Sequence, residues 1–597
     1  MGAVTDVLTM LGVIRKALKL KPLPGDTPLS LGSMVAQRAQ QSPDNVMVVF
    51  EGVTLTWGQF NTKANQMAHY LKSQGVKKGD AVALLMENRI ENLACVTALA
   101  KIGAVAAMIN TSLTEAPLLH CIKSVASVKV IVGQELLSPL SEIRSELGLA
   151  SNDIFWVQDA ALSGAGVAPE WAVALDFEGQ PGTDLPQTAE VTLSDLAYYI
   201  FTSGTTGLPK ASRITHDRHY RMSLGFSSIL LNMSEQDRIY ACLPLYHSSG
   251  MFICFGSIIH SGGSMFLRRK FSASNLLREA RQHQTTCFAY IGELCRYLLH
   301  QAPQPDDADN PIRKCVGNGL RPDIWMEFKT RFGIERVGEF YGASEGNAGC
   351  VNAFNKDCTV GFCGARHALV RYDVLNDELL RSRKGFCQKV KKGEAGLMLM
   401  EISKDAVFDG YVDPGATQKK ILTDVFKKGD RYFNSGDLLK QVDVGFALGL
   451  PHYQFVDRVG DTYRWKGENV STNEIGEIIN GADSVAYCNV YGVQLPGTDG
   501  RAGMVAISAK HGSLQLPAIS QHIIEKVPSY ARPLFIRQVM DMDTTGTFKM
   551  KKAELREQAY HLDQCPDPLF VLKPGSNEYE ALDRAFYQQI LAGTAGY

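Results

Sequence analysis

Several short stretches of this chain carry side chains whose types and spacing suit a nucleotide. Tyr199-Ile-Phe-Thr-Ser-Gly-Thr-Thr-Gly-Leu-Pro-Lys-Ala-Ser212 runs from a β-prone apolar segment into a loop of Ser, Thr and Gly that ends at Lys210. Gly204 and Gly207 let backbone N–H groups curl around phosphate oxygens. The hydroxyls of Thr202, Ser203, Thr205 and Thr206 add donors, and Lys210 adds a point charge. Such a loop suits a polyphosphate. It is not the Gly-x-x-x-x-Gly-Lys-Ser/Thr phosphate loop, because the lysine follows Leu208-Pro209 and no Gly-Lys pair precedes a hydroxyl residue. Tyr341-Gly-Ala-Ser-Glu-Gly-Asn347 follows a strand-like run, Arg336 to Phe340. An aromatic and a carboxylate at a strand-to-loop junction suit a nucleotide pocket. The Tyr341 ring can stack on a base, and Glu345 can hold Mg²⁺, which binds through one or two carboxylates plus substrate phosphates. Tyr432-Phe-Asn-Ser-Gly-Asp-Leu438 offers Asp437, a carboxylate able to accept two hydroxyl donors.

In this order and at this spacing the stretches resemble the motifs of the adenylate-forming enzymes: acyl-CoA synthetases, luciferases and peptide-synthetase adenylation domains. The resemblance implies that the Ser203–Lys210 loop grips the β- and γ-phosphates of ATP, that Tyr341 and Gly342 border the adenine, and that Ser344 touches the phosphates. It implies that Glu345 binds Mg²⁺ and that Asp437 holds the ribose hydroxyls with Arg458. Asp457-Arg-Val-Gly-Asp-Thr-Tyr-Arg-Trp-Lys-Gly-Glu-Asn-Val470 resembles the interdomain segment, with a pivot within Val459 to Asp461. It departs from the commonest form by placing Gly460 at the usual hinge acid, followed by Asp461; glycine tolerates large backbone changes there. Thr544-Thr-Gly-Thr-Phe-Lys-Met-Lys-Lys552 resembles the C-terminal catalytic-lysine motif. Lys549 is the matching position, and Lys551 and Lys552 read as surface lysines.

Other segments resemble one branch of that family, the fatty-acid transport protein or very-long-chain acyl-CoA synthetase group. They are Val316-Gly-Asn-Gly-Leu-Arg-Pro322, which contains Gly319, together with Tyr290-Ile-Gly-Glu-Leu294, Val527-Pro-Ser-Tyr-Ala-Arg-Pro533 and Trp465-Lys-Gly-Glu-Asn469. His247, in Pro244-Leu-Tyr-His-Ser-Ser-Gly250, resembles the histidine beside the substrate carboxylate. The resemblance covers Pro28 to Phe570 and implies a two-step ligase. A long-chain or very-long-chain fatty acid and ATP give an acyl-adenylate, which CoA then converts to a thioester. Rotation of a small domain would withdraw Lys549 and bring the side carrying Lys466 and Gly467 to complete a pantetheine tunnel. Met251, Phe252, Phe255 and Ile258 suit an acyl tunnel or a plain core equally. Three alternatives stay open: a fatty acyl-AMP ligase serving a carrier protein, a CoA ligase for bile or aromatic acids, and a lipid-uptake protein without catalysis.

The elements that must position these residues read as α/β. Helical periodicity at Asn61–Gln74 and Asn92–Ile102 alternates with strand-like runs at Ala81–Met86, Val105–Ile109, Val128–Val132 and Cys287–Ile291. This predicts layered α/β subdomains with substantially parallel sheets. After about Asp457 the pattern becomes a compact α+β unit, with helices at Thr472–Ile479 and Leu516–Lys526 and strands at Ala486–Val493, Met504–Ala509 and Leu534–Val539. The expected division is an N-terminal segment 1–27, a large domain 28–456, a hinge 457–461 and a small mobile domain 462–597. A chain of 597 residues exceeds what one core serves.

A net charge of −1 gives no electrostatic footprint for nucleic acid. Thirteen scattered cysteines without a C-x-x-C pair suit buried small hydrophobes in a reducing compartment. The loop Pro303–Pro311 and the basic run Arg381–Lys392 read as solvated surface. No run of about 18 uncharged apolar residues spans a bilayer, no signal peptide is evident, and Ala-Gly-Tyr597 is not a peroxisomal address. The expected location is the cytoplasm. Val7, Leu8, Leu11, Ile14 and Leu18 fall at helical spacing within Thr5–Lys21, beside Arg15, Lys16, Lys19 and Lys21. That helix would dock on the body of the protein or lie on an anionic membrane face.

Overall fold

Ala81–Leu85, Val105–Met108 and Lys129–Gly133 are buried along their whole length. A strand covered on both faces has no need to alternate apolar and polar residues, and such strands form parallel sheets. The computed structural model, which describes residues 2–18, 23–162, 166–204, 207–373, 378–404, 406–465, 468–498, 500–510, 512, 514–540 and 552–597, places them at the centre of a seven-stranded sheet. Its order is Val173–Ala174, Ile154–Val157, Lys129–Gly133, Ala81–Leu85, Val105–Met108, Leu196–Gly204 and Gly207–Thr215. Neighbours pair in parallel until the last two strands, which form an antiparallel hairpin.

A nine-stranded sheet stands behind the first. Its central strands Arg336–Gly342, Lys314–Asn318, Cys287–Ile291, Arg238–Ala241, Ser264–Leu267 and Val46–Phe50 are parallel. One continuous core joins the two sheets. Helix Ile90–Ile102 lies within it with every residue but Glu91 buried, packed against helices Leu31–Gln41 and Trp57–Ser73. A helix buried on every side suits such an interior once its few polar side chains are paired, as Lys101 is with Asp184 at 2.6 Å. The capping box of Thr56 and Gln59 starts the preceding helix at Trp57, ahead of the Asn61 start that periodicity predicts. Gly103, at φ +72, ends helix Ile90–Ile102 in the left-handed region.

A third sheet pairs His367–Val370, Ala395–Glu401, Arg431–Val442 and Ile421–Thr423, with His452–Arg458 laid against Arg431–Val442. The C-terminal residues have a core of their own, drawn from Tyr463 to Ile590. Its five-stranded sheet begins Val485–Val493, Ala502–Ala509, Phe535–Val539; helix Leu516–Lys526 crosses between the last two, which are parallel. The five elements expected here appear within one or two residues.

Two surface expectations change. The Pro303–Pro311 loop buries Asp307 and Asn310. The Arg331 guanidinium reaches Asp307 at 2.7 Å, and Asn310 donates to the carbonyls of Asp307 and Phe332. Polar composition suggested solvent, yet these groups satisfy one another indoors. The N-terminal helix Gly2–Ala17 docks through Met10 and Val13 on Ala353, Phe354 and Ala447. The positions that drew attention in the sequence, Val7, Leu8, Leu11, Ile14 and Leu18, face outward. Among the described residues no helix is long and apolar enough to cross a membrane.

Candidate functional site

The stretch expected to bind phosphates is a hairpin, where the sequence suggested a loop. Thr202 sits opposite Lys210 in register, so Lys210 lies on a strand. Pro209 is tolerated because its strand is the outermost of the sheet, where a missing N–H breaks no inner ladder. Thr205 and Thr206 lie outside the described residues, and Ser203, Gly204 and Gly207 are described by their backbone alone.

The hairpin is joined to Glu345 by a residue that sequence reasoning missed. Tyr411 pairs through its backbone with Ser212. Its hydroxyl donates to Glu345 Oε1 at 2.7 Å and bonds the Thr202 side chain. Burial and the adjacent Glu345 charge raise the Tyr411 phenol above its ordinary pKa, so it remains a donor. Arg218 was also missed. Its buried guanidinium donates to the carbonyl oxygens of Glu345 at 3.5 Å and Ala343 at 3.3 Å, and to that of Gly346. It thereby fixes the loop that carries Ser344 and Glu345. The available signal was an arginine in the first turn of helix His216–Gly225, directly after the hairpin. Among the described residues no three His, Cys, Asp or Glu side chains gather as a metal cage. One oriented carboxylate beside this hairpin fits Mg²⁺, which takes its remaining ligands from phosphates and water.

Ser344 Oγ lies 2.9 Å from Ser248 Oγ, one residue past His247. The Ser249 N–H donates to His247 Nδ1 at 3.3 Å, so in the neutral ring the proton sits on Nε2. Met251, Phe252, Phe255 and Ile258 are buried in the main core.

The remaining residues meet around a cavity of about 320 Å³ between the large and C-terminal parts. Gly319, Tyr341, Gly342, Asp437 and Arg458 all line it. Asp437 and Arg458 are register partners on adjacent strands, and the Tyr341 hydroxyl donates to Asp437 Oδ2 at 2.7 Å. Gly319 has φ +86, and a Cβ on Gly292 would stand 1.7 Å from the Gly319 carbonyl oxygen. Only two glycines let these backbones touch. Glu339, 1% exposed, secures this turn. It accepts the N–H groups of Gly319 and Leu320 and the Tyr290 hydroxyl. Burial raises its pKa to about 8.

The wall opposite belongs to the C-terminal part. Asp457, 1% exposed, accepts from the Thr472 N–H at 2.6 Å, the Thr472 hydroxyl at 2.9 Å and the Asn473 amide at 3.2 Å. Its carboxylate so meets the N-terminus of helix Thr472–Asn480. Lys552, expected on the surface, lines the cavity with Nζ 2.8 Å from Thr472 Oγ1 and 3.5 Å from Asp461 Oδ2. Arg556 completes the pairing at 2.9 Å from Asp461. Three charged groups in a shared half-buried site explain why this lysine turns inward. Lys549, Lys466 and Gly467 lie outside the described residues.

A pocket with aromatic, carboxylate and guanidinium walls, next to a hydroxyl-rich hairpin and an oriented carboxylate, can hold a nucleoside, its phosphates and a divalent cation at once. Comparison with known proteins agrees. The family described as AMP-binding enzyme matches residues 35–412. A medium/long-chain fatty-acid–CoA ligase of Mycobacterium tuberculosis is 38% identical over 94% of this chain and 91% of its own length. The long-chain fatty acid transport protein 6 of Mus musculus is 36% identical over 98% of this chain and 94% of its own. Among solved structures, an anthranilate CoA ligase in complex with anthranoyl-AMP superposes with a TM-score of 0.75 at 22% identity, over 90% of this chain and 98% of that one. ATP-bound MatB from Rhodopseudomonas palustris gives 0.73 at 21%, over 89% and 99%. The fold, the gathered site residues and the whole-length relatives together place this chain in the AMP-binding enzyme family, among the adenylate-forming ligases of the fatty-acid transport protein branch.

Proposed function

We propose that this protein is an ATP-dependent long- or very-long-chain fatty acid–CoA ligase that releases AMP and pyrophosphate. The observation that carries the reading is the convergence of Gly319, Tyr341, Asp437 and Arg458 on one cavity that the C-terminal part closes with Lys552. ATP and CoA are the cosubstrates, and Mg²⁺, held by Glu345, neutralises phosphate charge.

In the first step an oxygen of the fatty carboxylate attacks the α-phosphorus. The bond to the β-phosphate oxygen breaks, and pyrophosphate leaves. Tyr341, Gly342 and Gly319 seat the adenine, and Asp437 with Arg458 takes the ribose hydroxyls. Ser203 to Lys210 holds the departing phosphates with Ser344. His247 Nε2–H orients the carboxylate, and Lys549 neutralises the crowded anionic transition state. Such catalysis is positioning and charge neutralisation. In the second step the CoA thiol attacks the acyl carbonyl and AMP leaves. A free thiol has a pKa of about 8.5, so enough thiolate exists near neutral pH without a dedicated base.

The domain reading is 28–456, a hinge at 457–461 and 462–597. The Val459 N–H still bonds the Gly436 carbonyl, and a Cβ on Gly460 would meet nothing within 4 Å. These contacts support a swivel at Gly460–Asp461, which brings Lys466 and Gly467 to the pantetheine in the second step. We assign the protein to the cytoplasm, with peripheral contact to the inner face of a membrane.

The test is pyrophosphate release with oleate, ATP and Mg²⁺, with CoA or a phosphopantetheinyl carrier protein as acceptor. Oleoyl-CoA formation is expected. Transfer to the carrier but not to CoA would make it an acyl-AMP ligase. Turnover with aromatic or bile acids but not oleate would overturn the substrate class, and no pyrophosphate with any acid would overturn catalysis.

A further inference from the structure

We propose that Cys350 and Cys363 are the site of a reversible disulfide, and that its formation weakens nucleotide binding at Tyr341. The second part rests on the reading that Tyr341 seats the adenine; the bond itself does not. Gly349–Val351 and Phe362–Cys363 are the last two strands at one end of the nine-stranded sheet. They pair antiparallel, with Cys350 directly opposite Cys363. Such partners hold their Cα atoms about 4.5 or 5.5 Å apart, and a disulfide spans about 4.4–6.8 Å, so the bond closes without a change of register. The thiols already meet, with Cys350 donating to Cys363. The two are unlike. Cys350 is fully buried, and burial holds its thiol well above the ordinary range. Cys363 is 9% exposed, next to exposed Gly364. The bond from Cys350, with the neighbouring His367 ring, outweighs burial and holds the Cys363 thiol below that range. His367 Nδ1 donates to the Ala365 carbonyl at 2.7 Å, which fixes the ring. Cys358 is more open to solvent, yet burial and the Asp357 charge raise its thiol. A thiolate near the surface with a second thiol behind it is the arrangement of a redox-sensing pair.

The oxidant is a small-molecule disulfide such as glutathione disulfide. The Cys363 thiolate attacks one of its sulfurs, the S–S bond breaks, and one glutathione leaves as a thiolate. Cys350 then attacks the Cys363 sulfur and passes its proton to the second departing glutathione. Two protein thiols are oxidised and one glutathione disulfide is reduced to two thiols. The consequence for the site follows from register. On its other side Cys350 is the partner of Tyr341, whose hydroxyl donates to Asp437. Opposed Cβ atoms stand about 4.5–5.5 Å apart and those of a disulfide about 3.8 Å, so closure draws the two strands together by about 1 Å. The outer strand is held from behind by Tyr453, through the Val360 N–H and the Gly361 carbonyl. Gly349–Val351 therefore shares the movement, and the backbone opposite Tyr341 shifts.

The test equilibrates the full chain with glutathione buffers of rising disulfide content, then blocks free thiols and maps peptides by mass spectrometry. A Cys350–Cys363 crosslink is expected in the wild type, and a glutathione retained on Cys363 in Cys350→Ala. AMP binding, measured by calorimetry, should weaken about fivefold in the oxidised protein, the lower end of ordinary coupling between sites. Dithiothreitol should restore it, and Cys363→Ser should bind AMP equally in every buffer. By reciprocity, saturating AMP should raise about fivefold the ratio of glutathione disulfide to squared glutathione at half-oxidation. Glutathione on Cys358 with Cys350 and Cys363 still free overturns the proposal, as does a crosslinked protein whose AMP affinity is unchanged. A reduced protein that does not bind AMP overturns both this proposal and the nucleotide reading. The expected redox response without pyrophosphate release for any acid leaves this proposal standing and removes the ligase reading alone.

Discussion

Replacing Asp457 by Ala should uncouple the two steps of the reaction. Its carboxylate, at the end of strand His452–Arg458 where the hinge begins, bonds the first turn of helix Thr472–Asn480 of the small part, through the Thr472 N–H, the Thr472 hydroxyl and the Asn473 amide. A hydrogen bond to a charged group contributes about 1.5–3 kcal/mol, so three bonds exceed 4 kcal/mol gross. Two effects reduce this. Burial raises the pKa of Asp457, and desolvation therefore offsets part of the gain. The Thr472 hydroxyl also keeps the Lys552 ammonium as a donor in the variant. A net loss of about 2 kcal/mol follows, or about 30-fold in the population of the arrangement in which Lys552 faces the cavity. In the proposed mechanism that arrangement serves adenylation. Fatty-acid-dependent ATP–pyrophosphate exchange should therefore slow about 30-fold. Thioester formation from synthetic oleoyl-adenylate and CoA should change less than about threefold. Asp457→Asn, which retains one acceptor oxygen, should fall between. Equal loss in both half-reactions would refute the reasoning, because the carboxylate would then serve folding and not orientation. Unchanged exchange would refute the energetic estimate.

Three further substitutions probe the rest of the site. Tyr411→Phe removes the donor to Glu345 and should raise the Mg²⁺ concentration needed for half-maximal rate about tenfold, the equivalent of about 1.4 kcal/mol; a drop in melting temperature with unaltered Mg²⁺ dependence would make Tyr411 a packing residue. Lys549→Ala should depress adenylation far more than acyl transfer from preformed adenylate, and equal loss would sink the two-face mechanism. Glu339 bears on stability against pH. Its pKa rises from 4.5 to about 8 on burial, so the native state holds a proton that the unfolded chain releases. The stabilisation is complete below pH 4.5 and is lost as pH rises towards 8. Glu477, raised to about 7, adds a similar slope. Glu339→Gln should thus flatten, without abolishing, the fall in melting temperature across this window, and an unchanged slope would show that Glu339 is ionised throughout.

Much of this was legible in the sequence because local chemistry decided it. Buried parallel strands betrayed themselves by uninterrupted apolar runs such as Ala81–Leu85, and the C-terminal elements by a change of pattern near Asp457. Asp437, Arg458, Tyr341 and Gly319 stood in motifs, and the structure gathers them. What escaped was set by tertiary contact. Tyr411 and Arg218 serve the site through partners 66 and 127 residues away, and neither sits in a stretch whose composition suggests chemistry. Glu339 is a single acid in an apolar strand, explained only when the Gly319 turn and Tyr290 come to meet it. Lys552 read as a surface lysine, like Lys551, until Asp461, Thr472 and Arg556 enclosed it. The stretch read as a phosphate loop is a hairpin because edge-strand pairing outweighed the turn propensity of Ser, Thr and Gly.

The outermost position of that hairpin bears on how the product escapes. Residues 410–412 clasp its outer strand at Ala211, Ser212 and Arg213, through backbone bonds of Arg213 to Gly410 and Val412 to Ala211 and the Ser212–Tyr411 bridge. From Lys210 towards the tip, the ladder partner is the inner strand. The base is thus clamped on two sides, and one residue nearer the tip the His120 ring bonds the Pro209 carbonyl at 3.1 Å. In the proposed reaction pyrophosphate leaves a hairpin that stays anchored near Ala211, while Tyr341 and Asp437, mounted on separate strands, keep the adenylate in place for the thiol.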